Sequence, residues 1–137
     1  KIGINEKILN SSNKLDDDEI SEIRKHCEIG SRILGASGEF SEISEVVLQH
    51  HERWDGKGYP QGLKGEQISL NARIIAIADT YDAMVSDRAY RNAYSVEEAL
   101  AEIKGCSGTQ FDPSIVKIFI NMSHHEIYSL YHPIANL

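Results

Sequence analysis

The chain has 137 residues, of which 41% are hydrophobic and 26% charged, the proportions of one globular domain with its own core. A formal net charge of −7 excludes wholesale binding to nucleic-acid polymers, and no run approaches the roughly 20 consecutive apolar residues of a membrane-spanning helix. Cys27 and Cys106 have neither metal-type spacing nor a disulfide framework and read as reduced thiols of a cytoplasmic protein.

Residues 1–14 predict a short helix around Glu6 to Leu9, ended by the Asn/Ser cluster from Asn10 to Asn13. Asp16 with Glu19 is a capping-box signature, and Ile20, Ile23, Cys27 and Leu34 carry an apolar stripe to Gly35. That helix bears His26. The next is predicted from about Glu39 to Arg53, and its stripe of Ile43, Val46 and Val47 continues onto His50, His51 and Trp54. Two imidazoles therefore arrive at a helix end, near the edge of the core, each with two nitrogens to satisfy once buried. Beyond them Asp55-Gly56, Gly58 and Pro60 predict a rigid turn around Tyr59. Residues 55–69 form a glycine-bearing connection of a length usually found in functional loops.

A further helix spans roughly Asn71 to Val85 and places Asp79 and Asp82 on one face with Ile75 and Ala78. Carboxylates on so apolar a helix are costly unless paired or bound to metal. His26, the paired histidines and these aspartates together form a His/Asp set with metal-binding chemistry. In the polar stretch from Ser86 to Tyr94, Arg88 and Arg91 lie three apart, as a phosphate clamp on a helical turn requires. Arg53 and Lys57 add local positive charge for a small anion. Ser95 with Glu98 is a second capping box, opening a helix that ends near Gly105. Asp112-Pro113 caps a last helix whose apolar side is Ile115, Ile118 and Phe119. The tail from Met122 to Leu137 repeats His-His-Glu at His124 to Glu126, but no Gly-Tyr-Pro follows it. It reads as a C-terminal helix with Tyr128 and Tyr131 packed or at an interface. No segment alternates with period 2, so the fold expected is all-α.

Four words of the chain resemble the HD-GYP family of bacterial metal-dependent phosphodiesterases. They are His50-His51-Glu52-Arg53-Trp54-Asp55-Gly56-Lys57-Gly58-Tyr59-Pro60; Ala76-Ile77-Ala78-Asp79-Thr80-Tyr81-Asp82-Ala83; Ser86-Asp87-Arg88-Ala89-Tyr90-Arg91; and Gly108-Thr109-Gln110-Phe111-Asp112-Pro113. The resemblance covers roughly residues 1–120, leaving 121–137 as a helical tail. It implies an HD-domain-like helical bundle that hydrolyses cyclic di-GMP to its linear dinucleotide. On the matching positions it implies His26, His50, His51 and Asp79 as ligands of two or three divalent ions, iron or manganese. Tyr59, Arg88 and Arg91 would bind substrate. Asp82 would orient a ligand or assist proton transfer, and Lys1 would help hold a phosphate.

The family pattern also contains a His-Asp dyad, in His-Asp-x-Gly-Lys-x-Gly, which here would fall just before Lys1. The chain is accordingly expected to be an N-terminally truncated bundle that holds metal partially or not at all. It is further expected to be nearly inactive toward cyclic di-GMP and to form a homo-oligomer. Two readings of other classes stand beside the enzyme. One is a non-catalytic module contacting a partner such as a GGDEF domain through its Gly-Tyr-Pro loop; the other is a structural output segment of a two-component regulator.

Overall fold

The computed structural model describes residues 15–87 and 93–122, together with positions 4 and 8. Lys1, Arg88, Arg91, most of the short helix expected around Glu6 to Leu9, and the tail with His124 to Glu126, Tyr128 and Tyr131 lie outside the described residues. The described chain is all-α: α1 (Asp17–Gly35), α2 (Ser41–Gln49), α3 (Leu70–Val85), α4 (Val96–Gly105) and α5 (Pro113–Asn121). Single 3-10 turns stand at Gly38–Phe40 and Gly65–Gln67, and among the described residues an isolated Ser107–Phe111 bridge takes the place of any strand.

Local chemistry sets the helix starts. The Asp16 carboxylate accepts the Glu19 N–H at 2.8 Å while Glu19 accepts the Asp16 N–H at 3.0 Å, and Ser95 with Glu98 repeats the arrangement. Asp112 caps α5 by accepting the Ser114 N–H at 2.8 Å, with Pro113 in the first turn where its missing N–H costs nothing. Between α3 and α4 the chain is drawn back on itself, as Tyr94 N–H donates to Met84 O and Ala93 N–H to the Asp87 carboxylate.

Three sequence expectations need correction. The second helix does not run from Glu39 to Arg53: a 3-10 turn precedes it and it stops at Gln49. Past that point the backbone N–H groups find partners outside any helix, with Trp54 donating to Gln110 O and Asp55 to Thr109 O. On α5 Ile115 and Phe119 pack against the core as expected, but the most buried position is Val116, and Ile118 is 66% exposed and not part of that side. On α3 the buried face is Ala72, Ile77, Tyr81 and Met84. Asp79 and Asp82 lie on the exposed face with Ile75, so burial does not force a partner on either carboxylate.

The core is in two parts, and α3 belongs to both. Ile77, Tyr81 and Met84 pack with Ala99 and Ile103 of α4, Phe111 and Val116. At its other end Ala72 packs with Val46 of α2 and Ile68. Arg73 and Asp112 lock this helix to the start of α5 through a 2.7 Å ion pair, with the Asp112 side chain only 3% exposed. Burial alone raises the Asp112 carboxyl, but hydrogen bonds from Ser114 and Arg73 outweigh it and hold the pKa below the usual carboxylate value. A depressed folded-state pKa contributes stability above the unfolded value of about 4 and loses it as pH falls through the folded value. Asp112→Asn is therefore expected to cost about 1.5–3 kcal/mol at neutral pH, the range for a hydrogen bond to a charged group. It should also flatten the loss of stability below about pH 4. Urea unfolding at pH 7 and pH 3 measures both, and an unchanged acid slope would contradict this role.

Candidate metal centre

Helix α1 delivers His26 and the end of α2 delivers His50 and His51 to one place. His26 Nδ1 lies 2.6 Å from Ile23 O and His50 Nδ1 lies 2.7 Å from Val47 O. A carbonyl only accepts, so in each ring Nδ1 carries the proton and the neutral imidazole presents Nε2 as an acceptor. These two Nε2 atoms face each other at 3.3 Å. Two acceptors that close are satisfied together by a cation between them. A backbone carbonyl on the other nitrogen is also the arrangement that orients metal-binding imidazoles. His51 completes the group, with ring centroids 4.0 Å from His50 and 5.2 Å from His26.

Cys27 stands in the same group. Its sulfur is 3.6 Å from His26 Nε2, and the ligand atoms of His26, Cys27, His50 and His51 all lie within 4.8 Å of one another. Burial pushes the Cys27 thiol up to about 11, so without a cation it is a neutral S–H. The chemistry of this donor set, imidazoles plus one thiol, fits a divalent transition ion. Asp79 lines an open cleft of about 400 Å³ with His26, His50 and His51. A second cleft of about 190 Å³ joins Asp79 and the paired histidines to Tyr59, Thr80 and Gln110. Asp79 thus faces the imidazoles from α3 but stands outside the tight four-residue group, and Asp82, one turn on, borders neither cleft.

The loop after the histidines is held from inside by Glu52, which is 3% exposed. Its two carboxylate oxygens accept the N–H groups of Gln61, Gly62 and Leu63 at 2.7, 3.1 and 3.0 Å. Gly58 allows the loop to fold back this far: a Cβ there would stand 2.4 Å from Arg53 N and 2.5 Å from Glu52 Cα. Tyr59 N–H then donates to His51 O, and the Tyr59–Pro60 peptide is cis. The Tyr59 ring packs on His51 at 5.0 Å between centroids, with the Arg24 guanidinium also 5.0 Å from the Tyr59 centroid. Burial pushes the Tyr59 phenol up to about 12, against the opposing pull of Arg24, so it stays protonated at neutral pH.

Arg53 does not offer a ready positive charge to a ligand. Its guanidinium is bound by both Asp55 oxygens, at 3.1 and 2.9 Å, and by Gln110 Oε1 at 3.2 Å. The Gly108 to Phe111 word is likewise structural, since Thr109 and Gln110 supply the carbonyls that dock Trp54 and Asp55. Sequence reasoning passed over two residues. Glu52 had a signal, an acidic residue beside the histidines opening a glycine-rich loop; Cys27 had none, because a thiol on an apolar stripe looks like core.

A family model described as the HD domain matches residues 1–115. The chain is 43% identical over 135 residues to a cyclic di-GMP phosphodiesterase of Thermotoga maritima, covering 96% of this chain and 36% of that protein. It is 36% identical over 122 residues to a 3'3'-cGAMP-specific phosphodiesterase of Vibrio cholerae, covering 88% of this chain and 23% of that protein. A crystal structure of a cyclic GMP-AMP-specific phosphodiesterase from V. cholerae superposes with a TM-score of 0.70 at 24% identity, over 93% of this chain and 34% of the other, and so shares the fold. The chain therefore belongs to the HD domain family, and within it to the HD-GYP proteins. It spans about a third or less of the length of these relatives. Among the described residues no helix is long and apolar enough to cross a membrane.

Proposed function

We propose that this domain serves a metal-dependent phosphodiesterase that opens a cyclic dinucleotide, cyclic di-GMP in the first place, to its linear form. The observation that carries the reading is the pair of Nε2 atoms facing each other at 3.3 Å, each fixed by an Nδ1–H bond to a backbone carbonyl. His26, His50 and His51 would hold the ion, with Asp79 as the carboxylate facing them across the cleft. Such an ion supplies Lewis acidity toward a phosphoryl oxygen and acidity to an attacking water. Two or three ions, of iron or manganese, are the complement the family resemblance implies.

The protein's own groups then divide the remaining work. The Tyr59 phenol, protonated at neutral pH, donates a hydrogen bond to an anionic oxygen and adds no negative charge beside it. Asp82, exposed on the same side of α3 as Asp79, exchanges protons with solvent or orients a ligand. Arg88, Arg91 and Lys1 hold the substrate phosphates on this reading. The two thiols, outside any disulfide, go with a cytoplasmic protein. The alternative, a binding module for a GGDEF-domain partner, would use the outer edge of the loop at Lys57, Gln61 and Gly62, which is exposed. Self-association would draw on the exposed Ile43, Leu70, Ile74 and Ile75. The inner side of the loop, built on Glu52 and Tyr59, faces the histidines, and hydrolysis accounts for that side.

Chromatography of cyclic di-GMP incubated with the metal-loaded protein at its full natural length, and not with the 137 residues alone, tests the reading, with 3'3'-cGAMP run in parallel. The linear dinucleotide is expected, with Asp79→Asn lowering kcat/KM by about 100-fold or more, since even outer partners of a ligand are worth about 10–100-fold. Asp79 is exposed, so the substitution should leave thermal stability in place. Absence of product from either dinucleotide with metal bound, or full turnover by Asp79→Asn, would overturn it.

A further inference from the structure

The side chain of Gln110 has a role beyond the docking its carbonyl performs, and that role rests on the phosphodiesterase reading. The backbone around it is held on both sides, with its N–H donating to Cys106 O at 3.0 Å and its carbonyl accepting from Trp54 N–H at 3.1 Å. The side-chain amide meets the Arg53 guanidinium at 3.2 Å. A guanidinium only donates, so the amide oxygen is turned to Arg53 and the N–H₂ group is the end left over. Among the described residues that N–H₂ has no hydrogen-bond partner. It is also not one of the polar atoms sealed from solvent without a partner, which are Ser69 Oγ and Arg73 Nε. The amide nitrogen is therefore open to solvent, and Gln110 lines the small cleft shared by Asp79, Tyr59 and the paired histidines. At about 190 Å³ this cleft is smaller than the ~300 Å³ from which pockets for whole small molecules begin, so it fits a phosphodiester group and not a nucleoside.

We propose that Gln110 binds the substrate, its side-chain N–H₂ donating a hydrogen bond to a non-bridging oxygen of the phosphodiester that lies at the histidines. The cleft needs such a donor. The Arg53 charge is matched by Asp55, the Thr80 hydroxyl hydrogen is spent on Ala76 O at 2.7 Å, and Asp79 adds a carboxylate. Gln110 and Tyr59 bring neutral side-chain donors in their place. An amide can turn either end to a ligand, and its oxygen against an anionic phosphate would repel it. The bond from Arg53 holds the oxygen away and so decides which end the substrate meets. A competing role for the same side chain is structural, in which it only ties Arg53 to the turn before α5.

Two variants of the metal-loaded protein at full natural length separate these roles. Gln110→Glu keeps an oxygen for Arg53 and replaces the donor with a second oxygen, whereas Gln110→Met removes both. A structural role leaves Gln110→Glu with wild-type turnover. The substrate contact lowers kcat/KM for cyclic di-GMP about 10- to 100-fold in both variants, with the melting temperature of Gln110→Glu kept. The added charge of Glu repels an anion even without contact, so the bond itself is read with phosphorothioate cyclic di-GMP, whose sulfur is a weak acceptor. One of its stereoisomers is expected to slow the wild type about 10-fold more than it slows Gln110→Met. If Gln110→Met does not fold, Gln110→Glu serves the same comparison. Equal thio effects in wild type and variant for both stereoisomers, or wild-type kcat/KM in either variant, would overturn the contact and leave the metal centre standing. Absence of turnover by the wild type would overturn the phosphodiesterase reading and the contact with it.

Discussion

His50→Ala is expected to abolish the stabilisation that divalent metal gives the wild-type protein, while changing the metal-free protein little. A ligand at 100 times its Kd stabilises the folded state by about 2.7 kcal/mol. For a chain of this size that is a rise in Tm of about 10 °C. His50 supplies one of the two facing Nε2 atoms, so if the proposed centre holds the ion its loss would remove a direct metal bond and weaken binding by more than the roughly 100-fold known for outer partners. In the metal-free state the ring is only half-buried, and its removal also relieves two acceptors held 3.3 Å apart. The expected signature is an asymmetry: nearly equal melting without metal and a gap of about 10 °C with it. Equal responses to metal would show that the cation binds elsewhere.

The second large effect belongs to Glu52. Its carboxylate accepts three loop N–H groups from a position that water scarcely reaches. Glu52→Gln keeps the shape but replaces an acceptor oxygen with an N–H₂ group. With Oε1 left on Gln61 and Gly62, the amide nitrogen meets the Leu63 N–H donor to donor. One buried donor left unsatisfied costs about 1–3 kcal/mol, and the two remaining bonds lose their charge assistance, so a total of about 3 kcal/mol is expected. The loss should be felt at the site as well, because the same loop seats Tyr59 against His51. Denaturant unfolding and hydrogen exchange at Gln61 to Leu63 measure it. Protection at those amides equal to the wild type would show that Glu52 is not the anchor.

Much of the fold was legible because its signals are local. Asp16 with Glu19, Ser95 with Glu98, and Asp112 before Pro113 each fix a helix start within one turn of chain, and each cap forms as the residues suggest. The end of α2 was not legible, since what draws the backbone out of the helix is a pair of carbonyls, on Thr109 and Gln110, more than fifty residues away. The same distance hid the engagement of Arg53 with Gln110. At the site, the paired histidines stood out because two adjacent imidazoles at a helix end are a costly choice for packing alone. Asp79 stood out for a reason that does not hold, its presumed burial, although it faces the histidines across the cleft. Cys27 escaped notice because burial and helical spacing are the same for a thiol in the core and a thiol turned toward nitrogen.

The most direct test is a long-range ¹H–¹⁵N spectrum of the imidazole rings, recorded on the metal-free protein and again with one equivalent of zinc. His26 and His50 are expected to carry their protons on Nδ1 in both states, as their bonds to Ile23 O and Val47 O require, with zinc moving the Nε2 resonances of both rings. Protons found on Nε2 in the metal-free protein, or Nε2 resonances that stay in place at saturating zinc, would contradict the metal centre.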